Sequence, residues 1–150
     1  MTVHRLQRTQ SLAAPCAEVF DFFARPHNLE LITPSWLHFE LLTPEPIEMR
    51  AGTRIDYRLR LHGVPVRWRS LIEVWEPGRC FVDRQLLGPY RLWSHRHTFA
   101  TVGGRTVVRD EVDYALPLGP LGELAHGLFV RRDLERIFDH RRLAVAALIA

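Results

Sequence analysis

Apolar and polar residues alternate from Val3 to Leu12, the period of a half-buried first strand. Pro15 then stands where a helix start tolerates proline. Cys16, Val19, Phe20 and Phe23 follow at helical spacing, so Pro15 to Arg25 reads as a short amphipathic helix. Pro26 ends it and opens another turn or two up to Ile32, closed by Pro34. Strand-like segments come next, at 36–43, 53–62, 66–76, 79–87, 91–101 and 106–115. The clearest is Thr53 to His62, with Ile55, Tyr57, Leu59 and Leu61 on one face and four charged residues and His62 on the other. Pro77-Gly78 reads as a type II turn pair and Gly103-Gly104 as a tight hairpin.

From Leu118-Gly119-Pro120 to about Ala147 the chain reads as one helix, roughly 40 Å long at 1.5 Å per residue. Its apolar stripe is broken. Leu121, Leu124, Ala125 and Leu128 share one face, whereas Val130, Leu134, Ile137 and Phe138 lie about half a turn away, which predicts a kink or register change near Gly127 to Arg131. The element order predicts an α+β chain: a strand, two short helices, about six more strands and a long terminal helix. An antiparallel sheet of this size has one face that must be covered, and only the last helix is long enough to cover it.

Turn geometry sorts the side chains. A two-residue turn at Gly103-Gly104 sets Trp93 against Tyr114, His95 against Val112, His97 against Asp110 and Phe99 against Val108 on one face. The other face receives Arg96 with Glu111, expected as a cross-strand ion pair, and Ser94 with Asp113. The same reasoning across Pro77-Gly78 sets Val74 against Phe81, Ile72 against Asp83 and Ser70 against Gln85, with Arg67, Arg69 and Glu73 outward. The aromatic set is expected to face a cavity.

Composition narrows the classes. The 150 residues suit one domain spanning 1–150, and 47% hydrophobic with 25% charged residues is ordinary for a globular chain. The first ten residues lack the apolar core of a signal peptide, and the late run Leu143 to Ala150 is too short to span a bilayer, so the expected location is cytoplasmic, without stable membrane insertion. Two cysteines, Cys16 and Cys80, are too few for a disulfide scaffold or a thiolate zinc site. All 20 strongly basic side chains are arginine, which excludes a lysine Schiff base. The net charge is only +3, the arginines are spread along the whole chain and no aromatic-plus-basic stretch is of the kind that stacks bases, so nucleic acid is not an expected partner. Arg131, Arg132, Arg136, Arg141 and Arg142 read as a solvated helix face. Neither a nucleophile elbow nor a phosphate-cradling glycine loop is present.

Several local patterns carry a resemblance. Gly63-Val64-Pro65 with Trp68, Phe81-Val82-Asp83, Gly88-Pro89-Tyr90, the Trp93-x-His95-x-His97-x-Phe99 strand and Leu134-x-x-Ile137-Phe138 resemble a small bacterial branch of the SRPBCC superfamily. That superfamily includes START lipid-transfer domains, polyketide cyclases, coenzyme Q-binding proteins and the birch-pollen allergen. The resemblance covers essentially the whole chain. It implies a helix-grip fold, a curved antiparallel sheet of about seven strands around the long C-terminal helix, with a hydrophobic cavity between them. It implies no particular reaction.

The expected cavity wall comprises Trp68, Ile72, Phe81, Trp93, Phe99 and Tyr114, with Asp83, Gln85, His95, His97 and Asp110 set into it and Leu124 and Leu128 covering it from the helix. No cofactor is expected. His97 with Asp110 is the sharpest constellation, readable either as an acid–base or ligand-orienting pair or as a satisfied buried couple that sets the sheet register. No residue is assigned firmly to catalysis. His95, His97 and Asp110 have the composition of a two-histidine, one-carboxylate metal site, but mutual satisfaction of His97 and Asp110 leaves one free nitrogen, so no metal is expected. The leading expectation is binding of a lipid-, polyketide- or quinone-like small molecule, with a cyclase-, dehydratase- or hydrolase-type cavity enzyme as the alternative. A third reading sets the arginine face against an anionic lipid surface or a protein.

Overall fold

A computed structural model describes residues 1–149. Strand β1 (His4–Leu12) leads into helix α1 (Cys16–Phe23), a 3₁₀ turn (Pro26–Asn28) and helix α2 (Leu29–Ile32). Strands β2 (Glu40–Leu41), β3 (Arg54–Leu61), β4 (Val64–Glu76), β5 (Cys80–Leu87), β6 (Leu92–Val102) and β7 (Arg105–Ala115) follow. They form one antiparallel sheet in the order β1-β7-β6-β5-β4-β3-β2. The terminal helix runs from Gly119 to Ile149 in two α-helical parts, α3 (Gly119–Ala125) and α4 (Arg131–Ile149), joined by a π-helical turn (His126–Val130). This is the helix-grip architecture expected from the sequence. Among the described residues no helix is long and apolar enough to cross a membrane; Ala150, the end of the late apolar run, lies outside them.

The β6–β7 hairpin has the expected register throughout: Gly103 and Gly104 both take positive φ, as a tight hairpin turn requires, and His97 faces Asp110. The β4–β5 hairpin departs from expectation at its tip. Val74 faces Val82 rather than Phe81, because the turn holds one residue more than a two-residue loop. An irregularity between Ile72 and Val74 then restores Ile72 opposite Asp83 and Ser70 opposite Gln85. The expected strand at 36–43 shrinks to β2, since Ser35–Leu37 forms a 3₁₀ turn that ends with His38 in the left-handed region. The Arg96–Glu111 ion pair does not form. Glu111 takes Arg109 at 3.0 Å, and Arg96 reaches the Cys80 sulfur at 3.4 Å.

The core divides into a Phe20–Phe81–Phe99 group under α1, a Trp93–Tyr114–Leu134–Phe138 group under α4 and an Ile55–Tyr57–Ile72 group on β3 and β4. Helix α3 is set by a close backbone approach: a Cβ on buried Gly122 would collide with the Pro117 carbonyl oxygen. Backbone cannot give way as a flexible side chain can. A Gly122→Ala variant should therefore lose roughly 1–3 kcal/mol, the usual cost of overpacking, in a urea unfolding titration. Gly127, with nothing within 4 Å of its would-be Cβ, is the control that should accept alanine.

Candidate functional site

Between the concave face of the sheet and α4 lies a cavity of about 190 Å³. Its wall is mainly apolar: Ile55, Tyr57 and Leu59 from β3, Trp68 and Ile72 from β4, Phe81 from β5, Trp93 from β6, and Leu134, Ile137 and Phe138 from α4. These residues face inward because β-strand side chains alternate in direction, and β3 buries every second residue. Leu37, Phe39 and Met49, from the irregular segments around β2, close another side.

One end of the cavity is polar. His95 and His97, two apart on β6, point the same way and stack at a centroid distance of 3.6 Å; Phe81 stacks on the other side of His97 at 4.0 Å. His97 Nε2 lies 2.7 Å from Asp83 Oδ2, and His95 Nε2 lies 2.8 Å from Asp110 Oδ1. The pairing is therefore crossed relative to expectation. Although His97 and Asp110 face each other across the ladder, each histidine takes as its short partner a carboxylate on the diagonal position of the neighbouring strand. His97 Nδ1 comes within 3.3 Å of Asp110 Oδ1, close enough for charge attraction but without hydrogen-bond geometry. Arg141 from α4 adds a guanidinium 3.9 Å from the same oxygen, sandwiched against Phe23 and Phe138.

The electrostatics follow from this geometry. Burial, followed by the charge on His97, pushes His95 down to about 4, so it is neutral at pH 7. Burial also opposes charging of His97, but Asp110 and Asp83 together outweigh it and the net shift is upward. Burial acts to raise both carboxyls. For Asp83 the two histidines overcome it, and for Asp110 the charge of Arg141 followed by both histidines does, holding Asp110 well below the usual range. The two stacked histidines are thus shifted in opposite directions, His95 toward its neutral form and His97 toward its charged form, beside two carboxylates and the Arg141 guanidinium. Burial keeps the Tyr57 phenol protonated, a donor on the cavity wall.

Of the residues expected at the site, Trp68, Ile72, Phe81, Asp83, Trp93, His95 and His97 line the cavity. Six do not. Phe99 belongs to the aromatic group under α1. Gln85 turns aside to bond both backbone groups of Tyr90, at 2.7 and 3.1 Å, which ties down the β5–β6 connection. Tyr114 packs under the helix and meets His126 with its hydroxyl. Asp110 stands behind the histidines, toward Arg8 and Arg142. Leu124 and Leu128 are in solvent, 59% and 66% exposed. The π-turn does change the register near Gly127, but it seats the Leu134–Phe138 stripe on the core and leaves the Leu121–Leu124–Leu128 row outside. Arg141, expected on the solvated face, is a wall residue. A signal for it existed: Leu134, Phe138, Arg141 and Val145 follow one helical stripe.

Asp83, His95 and His97 hold their ligand-type atoms within 4.8 Å of one another, a spacing a metal ion could use. Both histidine Nε2 atoms are already committed to carboxylates, so a cation would have to break both of these hydrogen bonds.

A family model described as polyketide cyclase / dehydrase and lipid transport matches residues 3–148. The chain belongs to that family. No curated protein sequence matches it. Among solved structures, a Thermus thermophilus protein superposes with a TM-score of 0.73 at 18% identity, over 98% of this chain and 100% of that one. The Zhui aromatase/cyclase from a Streptomyces gives 0.69 at 20% identity, over 97% and 90%. The di-domain aromatase/cyclase StfQ of the steffimycin biosynthetic pathway gives 0.76 at 15%, over 97% of this chain and 50% of that chain. At such identities the likeness is one of fold.

Proposed function

We propose that the cavity binds a hydrophobic or amphipathic small molecule, of lipid-, polyketide- or quinone-like chemistry. The observation that carries this reading is the gradient along the cavity, from an aromatic and aliphatic wall to a polar end where Asp83 and His97 are held by each other. Asp83 uses one oxygen for His97 and keeps 20% of its side chain accessible, so it can accept a bond from a ligand hydroxyl. The volume sets a scale: about 150 Å³ suffices for a benzene ring, so this space takes a substituted ring system, and a longer chain would extend through the mouth. Residues 1–150 act as one binding domain in this reading.

An aromatic probe such as a naphthol should quench the fluorescence of Trp68 and Trp93. Replacing Ile55, 1% exposed on the wall, by Phe should fill part of the space and weaken that binding at least tenfold. Quenching that is unchanged in Ile55→Phe would place the probe elsewhere. Native mass spectrometry of protein purified from its own host would identify a retained ligand.

A second reading, a cyclase- or dehydratase-type enzyme, is favoured by one feature: the Asp83–His97 couple sits on the cavity wall, where a carboxylate orients an imidazole for proton transfer. His97 would be the acid–base group, Asp83 its orienting partner and Asp110 a charge behind them. Turnover of a β-hydroxyketone probe, lost in His97→Gln with cavity binding intact, would establish it.

A further inference from the structure

Away from the cavity, three metal-capable side chains meet where the first half of the terminal helix crosses the edge of the sheet. Glu123 in α3 and His126 at the start of the π-turn are three residues apart, which puts them on one helix face. His4 reaches them from the first residue of edge strand β1. His4 Nε2 lies 3.0 and 3.2 Å from the two Glu123 oxygens, and the rings of His4 and His126 stack at 3.6 Å. One ligand-type atom from each of the three lies within 4.8 Å of the others. Beside them opens a polar hollow of about 350 Å³, bordered by His4, Tyr114, His126, Arg131 and Glu135.

We propose that His4, Glu123 and His126 form a binding site for a divalent transition-metal ion, with zinc as the type. Two imidazoles and one carboxylate are the protein donor set of three-ligand zinc sites, and water from the hollow would supply the fourth position. Glu-x-x-His on one helix face recurs where helices present metal ligands. Imidazole and carboxylate together also suit nickel, cobalt and copper. Tyr114 Oη, 2.8 Å from His126 Nε2, is the group that fixes this ring. The arginines that border the hollow each have a carboxylate of their own: Arg131 pairs with Glu135 at 3.5 Å, Arg5 with Asp113 at 2.7 Å and Arg8 with Asp139 at 3.5 Å.

Reorganisation separates this cluster from the one in the cavity. His4 and Glu123 keep 20% and 37% of their side chains exposed, so exchanging their hydrogen bond for metal bonds strands no buried charge. The ion would link β1 to the first part of the helix, whose leucines, Leu121, Leu124 and Leu128, all lie in solvent. Binding to the folded state alone should therefore raise thermal stability by mass action.

The test is calorimetric titration of zinc sulfate into chelator-treated protein carrying no histidine tag. We expect saturable one-to-one binding and a thermal midpoint that rises with zinc. His4→Ala and Glu123→Gln, both at partly exposed positions, should each weaken binding at least about tenfold. His97→Gln should leave it unchanged. Cobalt(II) in place of zinc should give the visible bands of a four-coordinate nitrogen–oxygen site, lost in His126→Ala. No saturable binding, binding of full strength in both His4→Ala and Glu123→Gln, or loss in His97→Gln instead would each overturn the assignment.

Discussion

Asp110→Ala should cost about 3–5 kcal/mol of stability, the range found when one partner of a buried charge network is removed. Asp110 is the common neighbour of His95, His97 and Arg141, and both it and Arg141 keep only 13% of their side chains exposed. Without it, the Arg141 guanidinium loses the one carboxylate within 4 Å of it among the described residues, and His95 loses its hydrogen-bond partner. Asp110→Asn keeps the shape and an acceptor oxygen, so it should fall between wild type and alanine. Asp113→Ala is the control: its pair with Arg5 is half exposed and screened by water, so its loss should cost far less. Arg141→Met should be much better tolerated in the Asp110→Asn background than alone, since the pair is removed together. Urea unfolding of the wild type and the five variants measures all of this. An Asp110→Ala loss no larger than that of Asp113→Ala would mean that water relieves the network.

How much of this was legible depended on whether a turn fixed the geometry. The β6–β7 pairing follows from Gly103-Gly104, so the direction of His95, His97 and Asp110 could be read from the chain. The partner of His97 could not. Asp83 reaches it across β5–β6, whose connection through Gly88 to Arg91 has no turn of defined length, and nothing local aligns Phe81 with His97. Strand twist and the pull of Asp83 then made the short contacts diagonal. At the β4–β5 tip, Pro77-Gly78 predicted a turn but not the extra residue or its correction near Glu73, which depend on packing along the whole strand. The terminal helix shows both sides. Its broken stripe predicted the register change, whereas which half would meet the core depended on the sheet. Arg141 was hidden by its residue type, because a charged side chain on an apolar stripe is expected outside until two buried carboxylates are known to face it.

Stability should peak near pH 6.5 and fall on both sides, with the two stacked histidines responsible for opposite limbs. His95 titrates at about 4 in the folded protein against about 6.5 when unfolded. Between these values the unfolded chain binds a proton that the folded one refuses, so stability falls as pH drops, by on the order of 3 kcal/mol across the window. His97 is shifted the other way. Its contribution is complete below the ordinary histidine value and is lost as pH rises through its higher folded value. Asp83 and Asp110, both held below the ordinary carboxylate range, contribute above it and lose that contribution only as pH falls through their folded values, which steepens the acid limb at its lower end. His126, lowered by burial and by His4, adds to the acid limb in the same direction as His95. Urea midpoints from pH 3 to 9 would trace the profile. His95→Asn, which can still donate to Asp110, should remove most of the slope between pH 6.5 and 4 and leave the alkaline limb in place. If the slope survives that substitution, or if the wild type is flat from pH 4 to 6.5, then His95 is not the group held neutral.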